Sequence, residues 1–218
     1  MTYEQIRQDS AIRVYIQQAD ATLRALGYTE HSFAHVGRVA QLAGDVLADL
    51  NYDARTIELA RIAGYMHDIG NVVNRSEHSQ SGAVMAFRLL DNRNFSPEEI
   101  AVIVSAIGNH DEGTGVPVNE VAAALILADK SDVRRSRVRD KDTVAFDIHD
   151  RVNYSVTHSE LKVDETKTKV TLKLTVDTAV SSVMEYFEIF IERMLLCRQA
   201  AQKLGLKFEL YMNDQQMM

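Results

Sequence analysis

Residues 64–71 read Gly-Tyr-Met-His-Asp-Ile-Gly-Asn, and this stretch decides how the rest of the chain is interpreted. An apolar run with helical spacing leads into this stretch and ends within it, on His67 and Asp68. Gly70 follows two residues later. A buried imidazole or carboxylate destabilises a protein unless it has a partner. We therefore expect His67 and Asp68 to bind a metal ion, together with other histidines from the first half of the chain.

The composition is that of an ordinary globular protein. The 218 residues are 46% hydrophobic and 25% charged, enough for one sizeable domain with or without a small appendage. The net charge of −7 argues against general binding of nucleic-acid polymers or anionic membranes. Cys197 is the only cysteine, and no apolar run has the length of a membrane helix. These features predict a cytoplasmic protein without a membrane partner.

Helical periodicity dominates the chain before residue 135. It predicts six helices, over residues 3–26, 31–50, 53–68, 79–91, 96–109 and 119–132. The clearest start signal is Ser96-Pro97-Glu98-Glu99, which combines an N-cap serine, a proline at the first helical position and a glutamate at the third.

Beyond residue 150 the apolar residues alternate with polar ones. Residues 152–158 and 170–176 predict a hairpin around a turn at 164–167. A long helix over 179–204 follows, and residues 208–212 alternate again as a third strand. The predicted fold is mainly α, with a helical domain over 1–140 and a small C-terminal β-β-α(-β) element over 145–218.

Several histidines and aspartates lie at the ends of the predicted helices or inside otherwise apolar ones. Four histidines and two carboxylates suffice for one octahedral ion, or for two ions bridged by a carboxylate. Any one of them alone could be structural or solvated, so the ordered set on successive helices carries the argument. The six candidate metal ligands are His35, His67, Asp68, His78, His110 and Asp129.

This order resembles the HD-domain superfamily of metal-dependent phosphohydrolases, whose pattern is His, then His-Asp, then Asp. Here the pattern falls on His35, on the His67-Asp68 pair and on Asp129, and the resemblance covers roughly residues 20–135. It implies a helical HD bundle. Histidine-rich ligation suits iron, manganese, cobalt, nickel or zinc, so we expect one or two divalent transition-metal ions as the cofactor.

Two further histidines match subgroups of that superfamily. His78 and His110 are similar to histidines of the HD-GYP cyclic-dinucleotide phosphodiesterases and of the HD-type dinucleoside tetraphosphate hydrolases. The resemblance implies a dinuclear site in which Asp68 bridges the two ions. His35, His67 and Asp129 would then hold one ion, and His78 and His110 the other.

Three positions depart from the HD-GYP pattern. Asn71 stands where those proteins usually carry a lysine, Asn109 precedes His110 where they have paired histidines, and Val116 replaces the tyrosine of the GYP triplet. The resemblance therefore indicates a metal site without naming the substrate.

Positive charge follows directly after Asp129. Residues 130–139 contain four arginines and one lysine, and arginine forks suit phosphate, although such a run is also typical of a solvated helix end. Asp68 and Lys130 are the predicted catalytic residues. Asp111 and Glu112 could support a ligand histidine, but a solvated loop is the favoured interpretation. The candidate substrate contacts are Lys130, Arg134, Arg135, Arg75 and His31.

These observations predict a metal-dependent phosphohydrolase or phosphodiesterase that acts on a nucleotide or related small phosphoester through a metal-activated hydroxide. Two alternatives stay open, namely a diiron HD-fold oxygenase and a nucleotide-sensing HD module without catalysis. The broad apolar face of the helix over 179–204 adds the expectation of a homodimer as one possible assembly.

Overall fold

The computed structural model describes all residues from 1 to 218 and confirms a mainly α fold. Nine α-helices precede or flank a small four-stranded sheet. The helices are α1 Tyr3–Gln8, α2 Ser10–Ala25, α3 Phe33–Asp49, α4 Ala54–Met66, α5 His78–Asp91, α6 Pro97–Gly108, α7 Glu120–Ser131, α8 Ile148–Ser155 and α9 Val183–Lys203. The strands are β1 Val156–Val163, β2 Lys169–Val176, β3 Lys207–Met212 and β4 Gln215–Gln216.

The single helix predicted over residues 3–26 is wrong, because Asp9 divides it into α1 and α2. Asp9 is extended at φ −64° and ψ 122°, and its side chain accepts the N–H groups of Ala11 and Ile12 to cap α2. The Arg93 guanidinium binds both oxygens of the same carboxylate, at 2.6 and 2.8 Å. A cap and an ion pair therefore fix the break where periodicity alone reads a continuous helix.

The centre of the bundle is α7, whose residues 121–128 are all fully buried. On one side it packs against α3 and α4, which approach each other closely at Gly64. A Cβ at Gly64 would lie 2.8 Å from the Cα of Ala40, so only glycine permits this distance. The close approach brings the end of α4, with His67, beside the histidine that α3 carries.

The start of the predicted hairpin is corrected by the structure. Residues 148–155 form α8, because Asp147 accepts the N–H groups of His149 and Asp150 and so starts a helix. The strand β1 begins only at Val156. Val152 and Tyr154 are separated by one polar residue, as in a strand. A segment this short fits the two-residue period of a strand and the 3.6-residue period of a helix equally well.

The C-terminal element otherwise has the predicted order of strands and helix. β1 and β2 pair antiparallel, β2 and β3 pair parallel through the crossover helix α9, and β4 adds a short antiparallel edge. One cluster of buried apolar side chains extends from the bundle into this sheet. The division into 1–140 and 145–218 stays a prediction. No helix combines the length and apolar character that crossing a membrane requires.

Candidate metal centre

The structure brings all six candidate ligands together at the ends of five helices. The four imidazoles form a row, with ring centroids 5.2 Å apart for His35 and His67, 5.0 Å for His67 and His110, and 5.1 Å for His110 and His78. Every one of these rings is buried. Four buried imidazoles and two carboxylates in contact make a side-chain cluster suited to cations.

One end of the row faces both carboxylates. His35 Nε2 lies 3.4 Å from Asp129 Oδ1 and 3.5 Å from Asp68 Oδ2. His67 Nε2 lies 3.2 Å from Asp68 Oδ2 and 3.6 Å from Asp129 Oδ1. Three of these atoms, His35 Nε2, His67 Nε2 and Asp68 Oδ2, are buried without a hydrogen-bond partner. Such atoms point to a ligand that satisfies them, and the donor set of imidazole nitrogen and carboxylate oxygen fits a divalent transition metal.

The other end of the row faces the second oxygen of Asp68. His78 Nε2 lies 3.6 Å from Asp68 Oδ1 and 3.2 Å from His110 Nε2. His67, Asp68 and His110 also present ligand atoms that lie within 4.8 Å of one another, as do His35, His67 and Asp129. The two oxygens of Asp68 therefore face different pairs of imidazoles.

The ring orientation of three histidines is set by their own backbone. In each case Nδ1–H donates to the carbonyl oxygen three residues earlier, which leaves the Nε2 lone pair directed into the cluster. These bonds run from His67 to Gly64 at 2.8 Å, from His78 to Arg75 at 3.1 Å and from His110 to Ile107 at 2.6 Å.

The fourth histidine is oriented by a carboxylate that the sequence analysis missed. His35 Nδ1–H donates to Asp132 Oδ2 at 2.8 Å, and this carboxylate is fully buried. Asp132 Oδ1 also lies 3.1 Å from Arg38 Nε and accepts from Arg134 Nε at 2.8 Å. Burial alone would raise the pKa of Asp132, but the His35 hydrogen bond and the neighbouring Arg137 charge hold it well below its usual value.

The protonation equilibria show how negative the centre is. Burial opposes protonation of His35 and His67, yet their carboxylate neighbours outweigh it and raise the pKa to about 9 for His35 and about 10 for His67. Burial also opposes ionisation of Asp68 and Asp129, but the surrounding cations keep the pKa of each well below its usual range. A site that favours a proton on its imidazoles so strongly attracts other cations for the same electrostatic reason.

Comparison of the sequence with known protein families identifies the family to which this cluster of histidines and aspartates belongs. The family model "HD domain" matches residues 32–151, which is more than half of the chain. The chain belongs to the HD domain family. Membership indicates a metal-dependent phosphohydrolase and agrees with the ligand order on α3, α4 and α7.

Individual relatives of this HD protein are distant. An uncharacterised protein of Methanocaldococcus jannaschii, MJ1020, is 24% identical over 85% of this chain and 80% of the relative. Ribonuclease Y of Enterococcus faecalis is 33% identical over 46% of this chain, and that of Chlorobaculum tepidum is 36% identical over 48%. The matched segments make up only 18% and 17% of those two ribonucleases.

A network of buried charges lies beside the HD ligands. Lys130 Nζ lies 2.8 Å from Asp129 Oδ2 and 2.6 Å from Glu112 Oε2, and Glu112 Oε1 accepts from Arg193 Nε at 2.6 Å. Burial works against the charge of Lys130, but Asp129 and Glu112 raise its pKa above the usual value. The solvated-loop interpretation of Glu112 is therefore wrong, because this residue joins α7 to α9.

The ligand cluster opens into a cavity of 530 Å³. Three predicted substrate contacts, His31, Arg75 and Lys130, line it together with Asp68, His78, His110 and Asp129. Arg134 and Arg135 do not, and they line a separate cavity instead. The cavity wall also includes side chains that the sequence analysis did not single out, namely Tyr28, Arg137, Asn153, Phe190 and Arg193. Phe190 and Arg193 come from α9, so the C-terminal element completes the cavity.

Proposed function

We propose that this HD protein is a metal-dependent phosphohydrolase or phosphodiesterase that cleaves a nucleotide or similar small phosphoester. The observation that carries the proposal is the set of buried, unpartnered ligand atoms at the base of a cavity that also holds arginine and lysine side chains. A bound divalent ion would supply a hydroxide near neutral pH and would neutralise phosphoryl oxygens.

The positions of the two Asp68 oxygens support a dinuclear centre. Asp68 Oδ2 faces His35 and His67, whereas Oδ1 faces His78. Asn71 Nδ2 donates to Oδ1 and to the backbone carbonyl of Asp68, both at 2.9 Å, and so fixes the rotamer of this carboxylate. In the proposed site, His35, His67 and Asp129 would hold one ion together with one oxygen of Asp68. His78 and His110 would hold the other ion together with the second oxygen of Asp68.

Cationic side chains of the cavity are proposed to bind the phosphoryl group. Lys130 is held protonated between Asp129 and Glu112. Arg75 Nη1 lies 3.3 Å from His78 Nε2, and Arg193 uses only its Nε for Glu112, which leaves both Nη groups for a ligand. Guanidinium groups in a partly dry site bind phosphate oxygens through paired hydrogen bonds. We assign substrate binding to Lys130, Arg75, Arg193 and His31.

The shape of the site favours a small substrate over a polymer. Binding of single-stranded RNA normally needs a basic groove with aromatic platforms along several nucleotides. Here a single cavity of 530 Å³ lies beside the ligands, in a chain of net charge −7. The partial similarity to ribonuclease Y nevertheless makes RNA the competing substrate class.

One experiment tests the proposal and separates it from its alternatives. Metal per chain is measured by elemental analysis. The protein loaded in turn with Mn²⁺, Zn²⁺ or Fe²⁺ is screened for phosphate release from nucleotides and, by chromatography of the products, for cleavage of dinucleotides and short RNA. We expect activity on a small nucleotide that disappears in Asp68→Ala and is retained in Asp45→Ala, since Asp45 is half-buried on α3 and pairs with Arg61 rather than with a candidate ligand. Turnover only with iron and O₂ would favour the oxygenase, and bound metal without any turnover would favour the sensing module. Activity unchanged in Asp68→Ala would overturn the proposal.

A further inference from the structure

A second cavity of 530 Å³ lies where the helical bundle meets the C-terminal sheet. Its wall combines Arg38 of α3, Tyr154 of α8, residues 157–159 of β1 and five residues of the segment after α7, namely Arg134, Arg135, Ser136, Val138 and Lys141. No candidate metal ligand lines it, so it is separate from the HD centre. We call it the basic pocket and define it by Arg38, Arg134, Arg135, Lys141, Tyr154 and His158.

The charge of this wall is of one sign. Three arginines and one lysine line the basic pocket, and none of its lining residues is an aspartate or a glutamate. The whole chain carries 31 acidic residues against 24 Lys and Arg, so an all-cationic wall opposes the average of the molecule. Concave surfaces lined by one sign of charge concentrate ions of the other sign.

The cationic groups are held in place and keep hydrogen-bonding capacity. Arg135 donates from Nε to the carbonyl of Tyr154 at 2.6 Å, pairs through Nη2 with Asp177 at 3.1 Å, and lies 4.6 Å above the Tyr154 ring. These contacts use Nε and Nη2, so its Nη1 has no partner. Arg38 donates from Nη2 to the carbonyl of Ser159 at 2.8 Å.

Two further observations point to a ligand. Arg38 is anchored through Nε, which lies 3.1 Å from Asp132 Oδ1, and through Nη2, so its Nη1 has no partner. Lys141 is exposed and has no carboxylate within ion-pair distance, in contrast to Lys130. Rigid guanidinium groups with free N–H donors, next to an unpaired ammonium, match the oxygens of a phosphate group.

We propose that the basic pocket binds a small phosphate-bearing molecule at a site distinct from the metal centre. Its volume falls in the range of about 300–1,000 Å³ that is usual for small-molecule sites. The Nη1 groups of Arg38 and Arg135 supply free N–H donors, Lys141 supplies a mobile charge, and the Arg135–Tyr154 stack gives a planar wall. Arg134 lines the pocket but bonds to Asp132, Ser136 and Glu30 through all of its nitrogens. The proposal does not depend on the reaction of the HD centre.

Site-resolved binding tests it. Amide ¹H–¹⁵N spectra of the full chain, loaded with diamagnetic Zn²⁺, are recorded during titration with AMP, with inorganic phosphate and with adenosine. We expect saturable shifts at Lys141, Tyr154, His158 and Ser159 with AMP or phosphate, and none there with adenosine. These shifts are distinguished by residue from any at Glu112 or His31 in the metal-centre cavity.

Variants identify the groups responsible. Lys141→Glu and Arg135→Gln should each weaken this binding by about tenfold, because each removes a charged donor. Lys162→Glu, the same reversal at an exposed position of β1 outside the pocket, should leave it unchanged. If Arg135→Gln is unstable, Lys141→Glu decides alone, since its side chain makes no ion pair. Shifts confined to the metal-centre cavity, equal shifts with adenosine, or unchanged affinity in Lys141→Glu would overturn the proposal.

Discussion

Asp132 connects the metal centre to the arginines that surround it. Its carboxylate accepts the Nδ1–H of His35 and pairs with Arg38 and Arg134, all while fully buried. A carboxylate in this position fixes the tautomer of the histidine and raises the basicity of the nitrogen that faces the metal. In the proposed centre Asp132 would therefore act on a metal ligand, His35, without belonging to the ligand set.

Replacing Asp132 with asparagine should weaken metal binding. The amide oxygen can still accept the His35 hydrogen bond but carries no charge, so we expect about 10- to 100-fold lower affinity, as is usual when such a partner is lost. Competition with a chromophoric chelator measures it, and a thermal melt checks that the variant is folded. Asp177→Asn is the matched control, since Asp177 pairs with Arg135 at the protein surface. Equal metal affinity in Asp132→Asn and the wild type would refute this role.

Arg193→Gln tests whether α9 contributes to substrate binding. Removing its guanidinium from the cavity should lower kcat/KM for a phosphoester by about tenfold, the usual effect of one charge-assisted contact. Metal content should not change, because Arg193 contacts Glu112 and no ligand. Arg198→Gln, at an exposed position of the same helix, is the control. A loss of bound metal in Arg193→Gln would instead assign this residue to the support of the metal centre.

Sequence order was sufficient to predict which six candidate ligands the structure brings together, but not which residues contact them. The candidate ligands could be predicted because each sits at a helix end in the order that the HD family shares. Glu112 and Arg193 are 81 residues apart, so their contact depends on how α9 docks. Arg134 and Arg135 share the basic run with Lys130, yet the chain turns after Ser131 and carries both into the basic pocket. The residue types predicted that this segment is positively charged, but not which cavity each side chain lines.

At the level of elements, the turn after α4 depends on a close contact with α5. Gly70 lies in the short 3₁₀ turn Ile69–Val72, and a Cβ there would overlap the carbonyl oxygen of His78 and the backbone nitrogen of Gly82. These are backbone atoms, which cannot rotate away as a flexible side chain can. The contact sets the distance between Asp68 and His78.

Gly70→Ala should therefore lower the free energy of unfolding by about 2–4 kcal/mol, the range for severe overpacking. Gly37→Ala is the matched control, because a Cβ at Gly37 in α3 meets no atom within 4 Å. Alanine there should be neutral or stabilise by up to about 1 kcal/mol, since glycine weakens a helix interior. Urea denaturation of both variants measures the difference, and equal midpoints would show that the turn can relax.

Element boundaries show where periodicity stops being informative. The Asp9 break is invisible to apolar spacing, because a capping carboxylate and its Arg93 partner set it. Residues 148–155 carry too few apolar positions to separate a helix from a strand, so periodicity predicts a strand from Val152 where the structure has the second half of α8. In contrast, α6 starts where Ser96 and Pro97 predicted, since capping chemistry is local.

For the whole molecule, metal binding should couple to folding. A ligand that binds the native state alone stabilises it by about 2.7 kcal/mol at a free concentration one hundred times Kd. Added Zn²⁺ or Mn²⁺ should therefore raise Tm, and a chelator should reverse the rise. Asp68→Ala should abolish this increment, whereas Asp45→Ala should retain it. A metal-dependent rise that persists in Asp68→Ala would place the bound ion elsewhere.

The homodimer stays a prediction at this scale. Phe190 and Met194 of α9 are buried within the chain, but Met184 is 74% exposed and Ile191 is 41% exposed. The apolar face is therefore only partly satisfied internally. Light scattering at several protein concentrations would measure the assembly directly.

The division of the cavity between early and late parts of the chain has a consequence for synthesis. All six candidate ligands lie at or before residue 129, whereas Phe190 and Arg193 lie on α9. Chains emerge from the ribosome N-terminal end first and domains fold as they appear. If residues 1–140 fold as the predicted separate domain, the six candidate ligands would come together on the nascent chain before α9 leaves the ribosome. A metal ion would then bind before the cavity is complete, and α9, the last helix to be made, would cover a site that already holds its metal.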